Sequence, residues 1–313
     1  MQVLALAGGV GGAKLCLGLA RILDPCDLQI VVNTGDDEEF YGLHISPDLD
    51  TVMYTLAGLS NPDTGWGIAG ETFATLESLS RLGEDTWFGL GDRDMATHIV
   101  RTNLLRQGRT LSEVTTKLCH ALGVDHPIAP MSDDRVRTKV VTDIGTLAFQ
   151  TYFVKHGCEP VVRDLMFDGA EGASMSEAFS SALGNAKALI FCPSNPMLSI
   201  APILAVPGVE SAMEGFDGVR VAVSPIVGGK AIRGPAAKLL DELGENVSCV
   251  GVARRYSGLC DVFVLDESDQ QHTPAIRSLG MEPVVLDTIM NSDQDKVALA
   301  RSVLSTVGVA HAR

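Results

Sequence analysis

The fold class is indicated by one stretch near the start of the chain, Val3-Leu4-Ala5-Leu6-Ala7-Gly8-Gly9-Val10-Gly11-Gly12-Ala13-Lys14. Its apolar beginning predicts a buried strand, and its glycines predict a tight turn directly after that strand. Residues 13–23 then carry apolar side chains at the spacing of one helix face. A strand, a glycine-rich turn and a helix in this order are typical of α/β proteins, which bind phosphate groups at the start of such a helix.

The same pattern returns along the chain. Residues 28–32 form a second apolar run, which ends in Asn33-Thr34-Gly35-Asp36-Asp37. Further apolar runs predict strands at 188–192, 219–223, 247–252, 262–265 and 283–286, and helices fit between them, one at 235–243. Continuous apolar strands that alternate with amphipathic helices predict a Rossmann-like parallel sheet with helices on both faces.

The middle of the chain, residues 59–185, differs from this pattern. Residues 95–107 and 111–122 have the periodicity of helices, and the alternation at 146–154 predicts an antiparallel strand. We therefore expect an α/β protein whose core, residues 1–58 and 186–313, binds a nucleotide. A smaller inserted or second α/β subdomain at 59–185 would complete the site.

The formal net charge of −15 indicates which partners the chain avoids. An acidic surface repels nucleic acid and anionic membranes, so we expect neither as a partner. A small phosphate ligand remains compatible, because a local nest of backbone N–H groups outweighs a distant field. The charge also has the simpler role of keeping the protein soluble.

The seven cysteines of the 313-residue chain are widely spaced, and no two of them form a C-x-x-C pair. This spacing predicts neither a disulfide framework nor a zinc site, and it fits reduced thiols. The first residues lack the basic segment of a signal peptide, and no apolar run reaches about 18 residues. We therefore expect a cytoplasmic protein without a membrane span.

The first glycine turn is a candidate phosphate site but matches no standard motif. A G-x-G-x-x-G fingerprint that starts at Gly9 fails at Lys14, and a P-loop fails because Leu15 follows that lysine. The alternative is a tight turn packed under the sheet. The candidate ligand contacts are Gly8, Gly9, Gly11, Gly12 and Lys14.

Acidic loops are the second candidate feature. Asp36 and Asp37 follow the second strand, Asp48 and Asp50 lie in Ser46-Pro47-Asp48-Leu49-Asp50-Thr51, and a further group is Asp92, Arg93, Asp94 and His98. Carboxylates beside a phosphate site hold Mg²⁺, which prefers oxygen ligands. Asp48 or Asp50 could equally cap the helix that follows.

Two later loops are further candidates for anion binding. Ser194 and Asn195 end one predicted strand, and Ser224 ends another, before a turn that combines glycines with two cations: Gly228, Gly229, Lys230 and Arg233. The alternative for the two cations is a solvated surface. Residues 44, 98, 120 and 126 are histidines without metal-binding spacing, and the chain contains no G-x-S-x-G elbow.

Taken together, the motifs resemble the 2-phospho-L-lactate transferase family (CofD-like). The matching blocks keep their order over nearly the whole chain: 7–14, 32–37, 46–52, 89–94 with His98 and Arg101-Thr102, 130–134, 149–154, 167–171, 192–196, 203–208 and 224–230. No single glycine cluster is specific to this family, but so many ordered blocks are.

The resemblance implies an activity in the biosynthesis of coenzyme F-420. Members of this family join a phospho-acyl group, activated as a guanosine diphosphate adduct, to a hydroxyl of the deazaflavin Fo, and they release GMP. The acid can be lactyl, enolpyruvyl or glyceryl. The family also implies a Rossmann-like core, a Mg²⁺ requirement and a homodimer.

The resemblance further assigns roles to residues. It implies that Asp48 and Asp50 are catalytic and hold the metal. Residues near Fo would be Asp48, Asp50, Asp92, Arg93, Asp94 and His98. Residues near the nucleotide and its phosphates would be Gly8, Gly9, Gly11, Gly12, Lys14, Asn33, Ser194, Asn195, Ser224, Gly228, Gly229 and Lys230.

Two other functions compete with the transferase. A nucleotide-sugar-binding regulator of the same fold would share the first glycine cluster, but the acidic blocks favour the transferase. A nicotinamide oxidoreductase is disfavoured by the broken glycine fingerprint and by the crowded acidic loop at Asp36 and Asp37. The sequence leaves open which acid is transferred.

Overall fold

A parallel sheet of seven strands organises the chain. The structure is a computed structural model and describes residues 2–232 and 234–310. The strands in chain order are β1 (Val3–Ala7), β2 (Leu28–Val32), β3 (Glu38–Phe40), β4 (Leu43–Ile45), β5 (Ile128–Pro130), β6 (Arg137–Thr142), β7 (Gly145–Ala148), β8 (Val162–Asp168), β9 (Ala188–Phe191), β10 (Val219–Val223), β11 (Ile226–Val227), β12 (Lys230–Ala231), β13 (Val262–Asp266) and β14 (Glu282–Leu286). The main sheet has the order β14-β13-β10-β9-β1-β2-β5, and its neighbouring strands pair in parallel.

Helices cover both faces of this sheet. They are α1 (Gly9–Ala20), α2 (Pro47–Leu56), α3 (Ala74–Arg81), α4 (Asp92–Arg106), α5 (Leu111–Ala121), α6 (Glu177–Asn185), α7 (Ala201–Leu204), α8 (Val209–Glu214), α9 (Ala236–Glu242), α10 (Cys249–Arg255), α11 (Thr273–Ser278) and α12 (Asp293–Ala310). Alternate residues of β1 enter two different cores. Leu4 and Leu6 pack with residues of α6, α9 and α10, and Ala5 packs with residues of α1, α2 and α12. The predicted α/β class with helices on both faces is therefore confirmed.

The middle segment is not wholly separate from this core. Its strand β5 pairs with β2 at the edge of the main sheet, whereas β7, β6 and β8 form a small antiparallel sheet. The boundaries 1–58, 59–185 and 186–313 stay a prediction. The strand predicted at 146–154 is wrong beyond Ala148, where β7 ends, because Thr151–Lys155 forms a turn of π-helix.

The strand predicted at 247–252 is also wrong. Ser248 starts a helix there, since its hydroxyl accepts hydrogen bonds from the N–H groups of Val250 (3.1 Å) and Gly251 (3.3 Å). The residues that follow, from Cys249 to Ala253, are buried in the helix. An apolar run of this length fits a buried strand and a buried helix equally well, so its pattern alone could not decide.

Within the described ranges, no helix is both long and apolar enough to cross a membrane.

Candidate active site

The candidate active site is a cavity of about 520 Å³ at the carboxyl edge of the sheet. Its wall includes residues that follow four strands: Gly8 after β1, Ser194 after β9, Ser224 after β10 and Thr288 after β14. Ligands of open α/β sheets bind at this edge. The loops that follow these four strands therefore meet at one edge of the sheet.

The first glycine turn packs closely against its neighbours. The N–H of Gly9 donates to Asp48 Oδ1 at 2.6 Å. A Cβ at Gly8 would lie 2.4 Å from Asp48 Oδ2, and a Cβ at Gly11 would lie 2.2 Å from the carbonyl oxygen of Pro193. Because these separations are far below van der Waals contact, the packing alone requires glycine at Gly8 and Gly11.

Asp36 and Asp48 form a carboxylate pair around the side chain of Asn33. The Asn33 amide donates to Asp48 Oδ2 at 3.0 Å and to Asp36 Oδ1 at 3.4 Å. Its carbonyl oxygen accepts the N–H of Gly35 at 2.8 Å, which fixes the orientation of the amide. Both carboxylates belong to the cavity wall, and neither forms an ion pair with any residue that the structure describes. Sequence reasoning noted Asp36 in its acidic loop but gave it no role.

The environment of this pair disfavours two negative charges. Burial, with the charges of Asp48 and Asp37, raises the pKa of Asp36 well above its ordinary value. Burial also raises the pKa of Asp48 to about 6, against hydrogen bonds from Asn33 and Gly9 that lower it. A cation bound beside the pair would relieve this cost.

Asp50 has the opposite environment. Its oxygens accept two hydrogen bonds from the guanidinium of Arg101, of which the bond from Nη1 to Oδ2 measures 3.0 Å. Arg101 is only 1% exposed. Burial alone would lower the pKa of Arg101, but the charge of Asp50 raises it above its ordinary value. The charge of Asp50 is therefore compensated by the protein itself.

The alternative that Asp48 or Asp50 caps helix α2 is wrong. Ser46 occupies the N-cap position, and its side chain makes no capping hydrogen bond. Asp48 and Asp50 lie in the first turn, but their carboxylates bind Gly9, Asn33 and Arg101 instead of the start of the helix. These side chains are thus directed by contacts with other segments.

The His98 ring lies between Arg101, the partner of Asp50, and the carboxylate of Asp94. Arg101 Nη1 lies 3.1 Å from His98 Nδ1, and because guanidinium only donates, Nδ1 accepts and the ring proton lies on Nε2. Nε2 lies 3.2 Å from Asp94 Oδ1, which accepts the hydroxyl of Tyr54 at 2.6 Å. Burial opposes ionisation of Asp94, but His98 and Tyr54 lower its pKa. Asp94 and His98, four residues apart on α4, thus lie on the same face of that helix.

Aromatic side chains form another part of the wall. They are Trp66, Phe88, Phe149 and Phe153, and the last two rings stack with centroids 5.3 Å apart. Sequence reasoning assigned them no role, because the alternation at 146–154 predicted a strand that would separate Phe149 from Phe153. The helical turn that begins after Ala148 brings these rings together, and their spacing of four residues was the available signal.

Asp92 and Arg93 lie outside the cavity wall. Asp92 accepts hydrogen bonds from the Thr72 hydroxyl and from the N–H of Ala74 at the start of α3. Such hydrogen bonds lower the pKa of Asp92 to about 2, and the bond from Thr72 has the largest effect. The exposed Arg93 donates to the carbonyl oxygen of Ala69 at 3.3 Å. Their assignment to Fo stays a prediction.

The predicted nucleotide residues around β1 and β9 lie in or beneath the wall. Lys14 is in the wall, and its Nζ donates to the carbonyl oxygen of Met290 at 2.7 Å. Asn195 is also in the wall, and its side chain accepts the N–H of Met197 at 2.9 Å. Gly12 and Asn33 are buried behind the wall.

The second predicted glycine turn lies beside the cavity. Gly228 and Gly229 join β11 to β12, and Lys230 begins β12. None of these three residues belongs to the cavity wall. The chain enters the wall just beyond, at Ile232. Arg233 lies outside the described residues. The assignment of this turn to the nucleotide stays a prediction.

The carboxylates offer a physical test of a Mg²⁺ site. Asp36 and Asp48 fit Mg²⁺, since both contact the Asn33 amide, line the cavity and form no ion pair with a described residue; the charge of Arg137 lowers the pKa of Asp36 by less than burial and the neighbouring carboxylates raise it. Mg²⁺ is usually held by one or two carboxylates together with substrate phosphates. Asp50 fits less well, because Arg101 already occupies its oxygens. Asp50, Asp94 and His98 do have ligand atoms within 4.8 Å of one another.

Known proteins similar to this chain have two kinds of name. A phosphoenolpyruvate transferase of Streptomyces griseus is 40% identical over 310 residues, which cover 97% of this chain and 98% of the relative. A 2-phospho-L-lactate transferase of Methanosarcina acetivorans is 41% identical over 303 residues, with coverage of 96% and 98%. Relatives with either name are thus similar to the chain to the same degree.

A solved structure and a family model extend the comparison. A member of the UPF0052 family from Bacillus halodurans has a TM-score of 0.63 at 13% identity, covering 97% of this chain and 98% of its own, which shows a shared fold. The model of the family described as 2-phospho-L-lactate transferase CofD matches residues 3–304. With relatives of about 40% identity over almost its full length, the chain belongs to the 2-phospho-L-lactate transferase family and is a transferase.

Proposed function

We propose that this transferase moves the phospho-acyl group of a guanosine-diphosphate-activated acid to a hydroxyl of the deazaflavin Fo and releases GMP, in the biosynthesis of coenzyme F-420. One observation carries the proposal. A single cavity has a wall of glycine-rich backbone, a pair of buried carboxylates that form no ion pair with the described residues, and several aromatic rings. These three features suit a diphosphate, a metal ion and a planar ring system.

The glycine turn and the loop after β9 are suited to the guanylate and its phosphates. Helix α1 begins at Gly9, directly in the cavity wall. The N–H groups and the positive end of this helix would therefore face an anion that binds in the cavity. The hydroxyl of Ser194 accepts the N–H of Gly8 at 3.0 Å, which ties the two loops together. Lys14 adds a positive charge to the same part of the wall.

The aromatic part of the wall is suited to Fo. A deazaflavin is flat and largely apolar, and it can stack on rings such as those of Phe153 and Trp66. Trp66 belongs to the cavity wall and is 55% exposed, so its ring is accessible to a ligand. These rings and the carboxylates belong to the same wall, so a ring system stacked here would keep its hydroxyl-bearing chain inside the cavity.

We further propose that Asp36 and Asp48 would hold Mg²⁺, in place of the pair Asp48 and Asp50 expected from the family. When bound, the ion would neutralise negative charge on the transferring phosphoryl group. Asp50 would instead support the structure of the cavity wall, because Arg101 fixes its carboxylate and His98.

The reaction then requires positioning and charge neutralisation. The Fo hydroxyl attacks the phosphorus that bears the acid, a new P–O bond forms, and the P–O bond to the departing GMP breaks in line. The hydroxyl proton passes to a carboxylate of the wall. The protein's part is to align the attacking oxygen with the leaving group, and alignment of this kind supplies much of the acceleration in such transfers.

One assay tests both the reaction and the acid. The purified chain is supplied with Fo, GTP, a guanylyltransferase and each phospho-acid in turn, and mass spectrometry identifies the product. We expect one phospho-acid to give a phosphodiester of Fo together with GMP. If Fo binds in a fluorescence titration but no acid gives a product, the proposed reaction is wrong. If Fo does not bind, a nucleotide-binding regulator of this fold becomes the better explanation.

A further inference from the structure

A cluster of three potential metal ligands lies away from the cavity. The Cys249 sulfur, a carboxylate oxygen of Asp269 and a ring nitrogen of His272 all lie within 4.8 Å of one another. Cys249 is fully buried, Asp269 is 1% exposed, and His272 is partly exposed, which leaves a route for an ion from solvent. None of the three belongs to the wall of the active-site cavity.

The local fold explains how the cluster forms without a sequence motif. Asp269 and His272 lie three residues apart on the 3₁₀-helix Glu267–His272, and three residues per turn place them on the same face. Cys249, at the start of α10, comes from a segment twenty residues earlier. The sequence therefore showed no zinc spacing, although the fold assembles a cysteine, an aspartate and a histidine.

We propose that Cys249, Asp269 and His272 form a binding site for one thiophilic divalent cation of the class of Zn²⁺, separate from the active site. Ligands at tetrahedral Zn²⁺ lie about 3.4–3.8 Å apart, given bond lengths of 2.0–2.3 Å. The three ligand atoms lie within 4.8 Å of one another, so side-chain adjustments of about 1 Å would bring them to this geometry. Water would occupy the fourth position.

The charges also favour a cation of this class. A thiolate, a carboxylate and a neutral imidazole together carry two negative charges, which one divalent ion neutralises. Binding of the cation would release the thiol proton of Cys249 to solvent, because the thiolate is the ligand. A thiolate selects soft or borderline ions such as Zn²⁺ over Mg²⁺, which prefers oxygen. The active-site ion and this ion should therefore not compete.

The position of the cluster links it to the turn beside the cavity. Asp269 Oδ2 accepts the N–H of Gly228 at 2.9 Å, and α10 packs against β11 and the 3₁₀-helix. One carboxylate can bridge a cation and this N–H with its two oxygens. The ion would then join α10, the 3₁₀-helix and the β11–β12 turn.

Co²⁺ is the probe for the test, because a Co²⁺–thiolate bond gives a charge-transfer absorption band in the near ultraviolet. The full-length chain is titrated with Co²⁺ in excess Mg²⁺, and then with Zn²⁺. We expect the band to saturate at one equivalent and to disappear when Zn²⁺ replaces Co²⁺. Cys249→Ser should abolish the band, and His272→Gln should weaken binding by about tenfold or more.

Two control variants separate this site from others. Cys26→Ser removes an exposed thiol elsewhere, and Asp36→Asn alters the active site, so both should keep the band unchanged. If Cys249→Ser does not fold, His272→Gln decides, because its side chain is partly exposed. The proposal is overturned if no thiolate band forms, if the band survives with unchanged affinity in His272→Gln, or if Cys26→Ser removes it. None of these readouts depends on turnover, so they stand apart from the proposed reaction.

Discussion

Asp48 and Asp50 lie two residues apart in the first turn of the same helix, and both are buried in the wall of the same cavity, yet their surroundings differ. Asp48 receives hydrogen bonds from neutral donors and lies near Asp36, and within the described part of the chain no ion pair compensates its charge. Asp50 is paired with Arg101. Charge compensation, and not residue type or spacing, therefore separates a carboxylate available to a cation from one that stabilises the structure.

The largest expected effect is that of Asp48→Asn. Asparagine keeps the shape of the side chain but removes the negative charge that would hold the metal, so kcat should fall by about a thousandfold while the protein stays folded. Turnover of Fo at saturating Mg²⁺ measures the loss, and circular dichroism checks the fold. Asp217→Asn, in an exposed loop before β10, is the matched control and should leave turnover unchanged. Near-normal turnover of Asp48→Asn would remove the distinction between the two aspartates.

The next effect concerns stability and tests the other half of the comparison. Arg101→Met leaves the buried carboxylate of Asp50 without its cation, which should reduce the free energy of unfolding by about 3–5 kcal/mol. Urea denaturation measures this loss. The double variant Asp50→Asn/Arg101→Met removes both charges, so it should lose less than the sum of the single variants. Additive losses would show that the two side chains do not act as a pair.

Most of the fold could be predicted because its strands are continuous apolar runs that end in glycine or polar turns. The failures have a common cause. Residues 247–252 are as apolar as a strand, but the hydroxyl of Ser248 starts a helix there. The sequence did not predict strand β5, because it is only three residues long and ends at Pro130. Short apolar segments carry too little pattern to distinguish a strand from a helix or a loop.

The site was less predictable than the fold, because its distinguishing contacts join distant segments. The sequence placed Asp48 and Asp50 in one motif, but the pairing of Asp50 with Arg101 spans 51 positions. The sequence identified Asp36 only as a carboxylate in an acidic loop. Its pairing with Asp48 follows from the structure, where the Asn33 amide contacts both carboxylates. The sequence predicts residue types and strand ends, whereas only the three-dimensional structure shows which carboxylate is paired with a cation.

A smaller effect is expected from Asp36→Asn, which sharpens the comparison by testing Asp48's neighbour. If Asp36 shares the ion with Asp48, the Mg²⁺ concentration for half-maximal turnover should rise by about tenfold, since a cation that retains one carboxylate and the substrate phosphates still binds. Turnover against Mg²⁺ concentration measures this shift. A fall in kcat with an unchanged Mg²⁺ requirement would exclude Asp36 as a ligand.

The smallest effect is expected from His98→Gln, which asks whether the Asp50 side of the cavity takes part in proton transfer. Nδ1 of His98 accepts a hydrogen bond from Arg101, which leaves the ring proton on Nε2, so neither nitrogen has a lone pair available to accept a proton from Fo. We expect kcat of the variant to stay within about threefold of the wild type, with the same dependence on pH. A histidine base would instead give a rate that rises with pH as the ring loses its proton, and glutamine would abolish this acidic limb. The measurement is kcat against pH for both proteins, with His126→Gln as the control, because that ring contacts the carbonyl oxygen of Leu23 outside the cavity. Loss of the acidic limb only in His98→Gln would make this histidine a catalytic base, and the Asp50 side would then act on the substrate directly.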